Sequence, residues 1–309
     1  MTTAATASLR ALLANAIDYA GLFPPANLEL ENALRNYAGY VRHPDAWMLG
    51  PFILPLAEFD AAARGVAQFD EQHQLRISVL GPRTEDAATF QQSFFAGIDS
   101  IAAFRAACGE AVSIEQFEMP LPADIDSVGL KAIRSTLATS QLNTFWEAKV
   151  DAAERAIELI AANNRAASGP KLGFKLRTGG IIAEAFPSSA QIAAALAAAG
   201  NQNVPIKFTA GLHHPVRIFH ESVQTRMHGF LNVLGAGVLA LEHHWNETQI
   251  VRMLDDEDPE AFSFRDDCFA WREWEIGTEQ IVAHRELVTS LGSCSFDEPR
   301  DDLRALKLL

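Results

Sequence analysis

Cysteine is scarce. Cys108, Cys268 and Cys294 are the three in 309 residues, far apart and without a CxxC pair. That argues against a disulfide framework or a thiolate zinc site and fits a reducing, cytoplasmic setting. Positive charge is the minority sign: 25 Lys and Arg stand against 39 Asp and Glu, for a net charge of −14. Such a balance repels phosphate backbones and anionic membranes, so neither nucleic acid nor membrane is an expected partner. Long apolar runs are also missing. The longest, FLNVLGAGVLAL from Phe230, is too short to cross a bilayer and reads as a buried strand running into a helix. The opening MTTAATASLRALLANAIDYAGLF has no sustained apolar stretch before Asp18 and makes a poor signal peptide. There is no G-x-S-x-G elbow, no Walker A sequence and no HExxH or HxH pattern. No Gly/Ser linker or low-complexity segment divides the chain.

What is present is hydrophobic content of 49%, enough for a large core. Short runs rich in Val, Ile, Phe and Leu recur near residues 18, 49, 76, 112, 142, 172, 204 and 229, about one βα unit apart. Helical spacing lies between them: Leu30, Leu34, Tyr37 and Val41 share one face, as do Leu56, Phe59, Ala63 and Val66, and Ile157, Ile160 and Ala161. Residues 171–210 form the clearest unit, with the capping box Ser188-x-x-Gln191, an alanine-rich helix, Gly200 as its stop and a second strand. Right-handed crossover makes the strands on either side parallel neighbours. Eight such units predict an α/β fold of the (β/α)8 TIM-barrel kind, a single domain over 1–309 with an N-terminal helix. An open doubly wound sheet is the runner-up, but its G-x-G-x-x-G fingerprint is absent. Residues 255–309, opening on the solvated run DDEDPE and carrying Trp271 and Trp274, exceed a minimal barrel and read as a C-terminal helical extension packed on it.

Side chains alternate along a strand. In KLGFKLRTGG, if Leu172, Phe174 and Leu176 face the helices, then Gly173, Lys175 and Arg177 face the axis. In VPIKFTAGLHHP, Lys207 and Thr209 do the same, and LNTFWEAKV turns Glu147 inward at its C-terminal end. Charges thus gather at the upper ends of three successive strands, where barrel enzymes keep their chemistry. Adjacent strands lie about 4.8 Å apart, which brings two inward ammonium groups within about 5 to 7 Å. At an effective dielectric of about 20, charges about 5 Å apart repel by about 3 kcal/mol, enough to leave one lysine partly neutral near pH ~8. A neutral amine can attack a carbonyl and form a Schiff base, with Glu147 as proton shuttle. An ionised Glu147 would pull the other way and raise the lysine pKa.

FKLRTGG followed by IKFTAGL resembles the K-T-S-T-G and K-x-x-G-G pattern on strands six and seven of the deoxyribose-phosphate aldolase-like class I aldolases, and FWEAKV resembles their fifth strand. The resemblance covers residues 142–212. It implies that Lys175 forms the Schiff base and that Lys207 lowers its pKa. For that family's carboxylate on an earlier strand, Glu115 and Glu118 compete. Its phosphate-gripping glycine and serine turn is not found in HGFLNVLGAG.

The expected reaction is therefore an aldolase-like cleavage of a small anionic carbonyl compound, with Lys175, Lys207 and Glu147 as catalytic residues. Substrate-binding candidates are Asp18, Arg177, Thr178, Gly179, Gly180, Thr209, His213, His214, Arg217, His228 and Asn232. Arg177 and Arg217 suit bidentate capture of an anion, and Thr178 to Gly180 offer backbone N–H groups. Tyr19 is a further barrel-lining candidate. His243 and His244 are read as surface residues, and Cys294 as an inert thiol. No cofactor is expected. Two rival readings remain: a metal-dependent hydrolase or isomerase using His213, His228 and Glu147, and a barrel that binds an anionic metabolite without turnover. A homo-oligomer is compatible with all three.

Overall fold

The computed structural model describes residues 5–166 and 169–309. Residues 1–4, part of the opening segment read above for a leader, lie outside the described residues. After a helix at Ala7–Leu13, seven parallel strands alternate with helices: β1 (Ile17–Tyr19), β2 (Leu49–Pro55), β3 (Leu75–Leu80), β4 (Val112–Pro120), β5 (Asn143–Glu147), β6 (Leu172–Arg177) and β7 (Ile206–Thr209). A two-stranded hairpin follows, β8 (Ile218–His220) with β9 (Thr225–Met227). After helices Phe230–His243 and Glu247–Leu254 comes an antiparallel sheet of β10 (Phe262–Phe264), β11 (Cys268–Trp271) and β12 (Trp274–Gly277). The last strand, β13 (Val288–Ser293), pairs with both β7 and β1 and closes an eight-stranded barrel in the order β1-β13-β7-β6-β5-β4-β3-β2.

The barrel is as expected, but its eighth stave is not where the sequence pointed. The run from Phe230 is a helix, buried from Phe230 to Leu239. A run that is apolar but for Asn232 lacks the polar face that would tell helix from strand, and only its surroundings decide. Here the helix lies between β13 and the small sheet, so it has little solvent-facing side to reveal a period of 3.6. Its glycines serve that packing: a Cβ on Gly237 would sit 2.8 Å from the Val288 methyls, and one on Gly235 would sit 2.6 Å from the Met253 terminal carbon. The stretch 255–309, read as an extension, instead supplies β13 and completes the barrel, together with the small sheet and helices Thr278–His284 and Asp297–Ala305.

The helix after β6, Ser189–Gln202, begins on the expected capping box, with the Ser188 side chain accepting from the Gln191 N–H. It runs past Gly200 and ends at Asn203, whose φ of 55° is the left-handed conformation that asparagine tolerates. Alternation holds in the strands that matter. Phe174, Ile206 and Phe208 are buried on the helix side, while register sets Lys175 opposite Lys207 on one flank and Glu147 on the other.

Candidate active site

The barrel axis is polar in layers. Near its lower end Arg76 makes a double hydrogen bond to Glu115, Nε to Oε1 at 2.5 Å and Nη2 to Oε2 at 3.0 Å. A break in the β3–β4 register puts Ile77 opposite Ile114 but Ser78 opposite Gln116, leaving Glu115 as the extra residue of a bulge. One more step along β4 brings Glu118 inward. Geometry separates the two glutamates: Glu115 is tied to Arg76, and Glu118 reaches both lysines.

Glu118 bridges them through its two oxygens. Lys207 Nζ lies 2.5 Å from Oε1, and Lys175 Nζ lies 2.9 Å from Oε2. Lys207 is also 2.6 Å from Asp18 Oδ2, donates to Gln116 Oε1 at 2.7 Å and lies 5.2 Å from the centre of the Phe145 ring. Ser78 donates to Glu118 and Ser290 to Asp18. Lys175 completes its surroundings with Glu147 Oε2 at 2.9 Å. Gly50 makes room for this cluster, because a Cβ there would lie 2.1 Å from Asp18 Oδ1. Gly173 likewise yields to the Phe145 ring, 2.5 Å from where its Cβ would be.

These contacts overturn the expected lowering of the nucleophile's pKa. Burial pushes the Lys175 amine down, but the charges and hydrogen bonds of Glu118 and Glu147 outweigh it and hold the amine above the ordinary lysine value. Burial pushes Glu118 up, and Lys175 and Lys207 overcome that to hold its carboxyl well below the usual range. In Asp18 burial wins over Lys207, and its carboxyl is raised. The lysines do not face each other as bare cations. A shared carboxylate stands between them.

Above the cluster opens a cavity of about 430 Å³, lined by Glu118, Glu147, Lys175, Arg177, Gly180, Lys207, Thr209 and His213 among others. Lys175 is the more open of the two lysines, its side chain 6% exposed against 1% for Lys207. His213 Nδ1 lies 3.0 Å from Glu298 Oε2 and 3.9 Å from Cys294 Sγ. Burial lowers its pKa, yet these two partners raise it to about 9.

Other candidates fall elsewhere. Thr178 is buried and donates to the Ala210 carbonyl at 2.7 Å, and Gly179 packs against the Gly211 Cα, so both serve the turn. His214 pairs with Asp302 at 2.7 Å and stacks on His220, outside the cavity lining. Arg217, His228 and Asn232 form a separate cluster. His228 meets the Pro187 carbonyl and Arg217, Arg217 lies 3.5 Å from Asp255, and Asn232 donates to the Met253 and Asp256 carbonyls. Asn232 is on the helix rather than on a barrel strand. The proposed His213, His228 and Glu147 metal set therefore does not converge, and among the described residues no three His, Cys, Asp or Glu side chains are grouped to hold a metal ion. Tyr19 is buried in an aromatic cluster with Tyr37, Tyr40 and Phe52. The sequence reading missed Ser78, Gln116, Ser290 and Glu298, and it left Glu118 undecided. Alternation in "ISVL" and "EQFEMP" was the signal for Ser78 and Glu118, and the bulge obscured it.

Fold and site together define a (β/α)8 barrel with a buried lysine and carboxylate cluster at the mouth-side end of β1, β4, β5, β6 and β7. Comparison of structures adds a relative of the same fold: a deoxyribose phosphate aldolase from Aeropyrum pernix, described as tetrameric, matches with a TM-score of 0.51 and 10% identity, over 98% of this chain and 99% of that one. The likeness thus extends from residues 142–212 to nearly the whole chain, as a likeness of fold. No protein-family model matches the sequence, and no curated protein does. Among the described residues, no helix is long and apolar enough to cross a membrane.

Proposed function

We propose that the protein is an aldolase-like lyase acting on a small anionic carbonyl compound through a Schiff base on Lys175. The observation that carries this reading is the Lys175 amine at a cavity floor, 2.9 Å from each of two carboxylates, one exposed enough to exchange protons with a ligand. The resting ammonium first gives a proton to Glu147, whose side chain is 14% exposed against 1% for Glu118. The neutral amine adds to the substrate carbonyl, and the carbinolamine loses its hydroxyl as water with a proton returned from Glu147, leaving an iminium. Glu147 then removes the proton of a hydroxyl one carbon beyond the iminium's neighbour. The carbon–carbon bond breaks, one carbonyl product departs, and the electron pair rests in the enamine. Protonation of that carbon and hydrolysis of the imine restore Lys175. Glu118 and Lys207 keep the floor rigid and fix the charge that Lys175 faces.

Borohydride trapping with a panel of aldehydes and keto acids, followed by peptide mapping, tests this. A reduced adduct at Lys175 is expected, and its formation should climb with pH into the alkaline range because the amine is held in its charged form. An unmodified Lys175 across the panel would overturn the proposal. The same ion pairs favour one rival, a barrel that binds an anionic metabolite without turnover; tight binding with no adduct and no product would select it. A reducing cytoplasm suits the free Cys108, Cys268 and Cys294. Assembly into an oligomer, as described for the Aeropyrum pernix enzyme, belongs to the same reading and is checked by light scattering.

A further inference from the structure

Beside the Lys175 cavity, the segments following β3, β4, β5 and β6 enclose a second cleft of about 660 Å³. Arg83, Pro120, Glu147 and Arg177 line both spaces. The partition between them is therefore the carboxylate that touches Lys175, flanked by two arginines. Leu121, Pro122, Ile125, Val150, Leu159 and Phe186 give the cleft an apolar lining.

Charge around the cleft is not balanced in the way it is on the cavity floor. Lys175, Lys207 and His213 each contact a carboxylate. Arg83, Lys149, Arg155 and Arg177 line the second cleft and have no carboxylate partner among the described residues; Arg177 donates only to the Gly179 carbonyl, at 3.1 Å. All four are exposed. Of the acidic residues there, Glu147 is engaged by Lys175 and Asp151 accepts from Gln191 at 2.9 Å, which leaves Glu85 and Glu184 uncommitted. Four uncommitted cations against two uncommitted carboxylates is a local reversal of sign on a chain of net charge −14. Arginines at the rim of an apolar cleft suit a ligand with a carbon skeleton and an anionic head.

Resting on the Schiff-base reading for its other end, the geometry points to a two-part substrate: a carbonyl group delivered to Lys175, and an apolar chain or ring in the second cleft bearing a carboxylate or phosphate held by Arg83 and Arg177. A polyhydroxylated chain would bring hydroxyls against apolar side chains with no partners and lose hydrogen bonds to water. The bond broken would then lie at the partition, beside Glu147.

Wild-type protein is treated with cyanoborohydride and three aldehydes: 4-formylbenzoate, benzaldehyde and glycolaldehyde. Lys175 should be modified by 4-formylbenzoate at concentrations at least tenfold below those needed for benzaldehyde, and by benzaldehyde below those for glycolaldehyde. In Arg83→Gln and Arg177→Gln the preference for 4-formylbenzoate over benzaldehyde should fall toward one. An undiminished preference in both variants, or none in the wild type, overturns the inference. Benzoate and phenylphosphonate, which cannot form an imine, are titrated in parallel by calorimetry. If no aldehyde modifies Lys175 but the variants bind these anions at least tenfold more weakly, the second cleft stands and the Schiff-base reading falls. If the anions bind wild type and variants alike, the cleft is not the anion site. The tighter of the two anions identifies the head group as carboxylate or phosphate.

Discussion

Glu118 is the residue on which the buried charges depend, since among the described residues it is the one carboxylate in contact with both ammonium groups. Glu118→Gln would take away the carboxylate between the two buried ammonium groups and leave Lys175 with Glu147 alone and Lys207 with Asp18; breaking buried pairs in this way costs about 3–5 kcal/mol, read as a lower midpoint in urea unfolding. The pH dependence carries a definite sign. A carboxyl held below its unfolded value contributes fully above the ordinary carboxylate range, and that contribution is lost as pH falls through the folded value. Asp18 has the opposite sign, because burial raises its pKa and ionising it at neutral pH opposes folding. Asp18→Asn should therefore cost less than Glu118→Gln, and an equal or larger loss would contradict this account. At the cavity wall, His213 should titrate near 9 by NMR, held up by Cys294 and Glu298, and its pKa should fall in Glu298→Gln by the share that Glu298 supplies. Glu298 is itself held low by its hydrogen bond from His213, against a smaller opposing effect of burial. Stability from the pair is then full between the ordinary carboxylate and imidazole values and lost as pH rises through about 9. The difference in melting temperature between wild type and Glu298→Gln should disappear above that pH.

The helix Phe230–His243 shows which elements could be read from sequence and which could not. Strands β1 to β7 were legible because each apolar run is short, bounded by turns and followed by a helical period. The inward direction of Lys175, Lys207 and Glu147 followed from alternation alone. The eighth stave was not legible: VTSLGS in β13 is small and half polar, while FLNVLGAGVLAL is apolar but for Asn232, so hydrophobicity ranked the wrong segment. What turns that run into a helix is its burial between β13 and the small sheet, a tertiary fact absent from local pattern. For the same reason the site was half legible. Residues on one strand could be assigned a face, but the Glu118 bridge depends on a bulge, and the removal of Arg217, His228 and Asn232 from the site depends on where the helix lies. Gly237→Val tests the packing directly. The added side chain must enter space held by the Val288 methyls, 2.8 Å from the new Cβ. Overpacking of this kind costs about 1–3 kcal/mol, and the variant should melt at lower temperature with the capping-box serine of the preceding helix unaffected.

At the scale of the whole molecule, the barrel is closed by sequence that lies more than seventy residues after β7. Strand β13 meets β7 on one edge and β1 on the other, so both seams of the sheet rest on the same six residues. Ser290 in that strand also donates to Asp18, and Thr209 lies against Gly292, 3.2 Å from where a Cβ there would be. A chain ended at residue 254 would keep seven staves and lose the eighth, exposing the edges of β1 and β7 and the face of the Phe230–His243 helix that packs on β13. Unpaired parallel edges leave buried N–H and C=O groups without partners, and no neighbouring element replaces them. Asp18 would lose its hydrogen bond from Ser290, and the lysine and carboxylate cluster would open to water from the side. Were 255–309 an appendage on a complete barrel, the shortened chain would instead fold cooperatively and still form an adduct at Lys175. The expected outcome is an aggregated or molten product with no cooperative unfolding transition and no selective modification of Lys175. Adding a separate fragment of residues 255–309 should restore both in part, because the missing stave supplies its own hydrogen bonds along two edges at once.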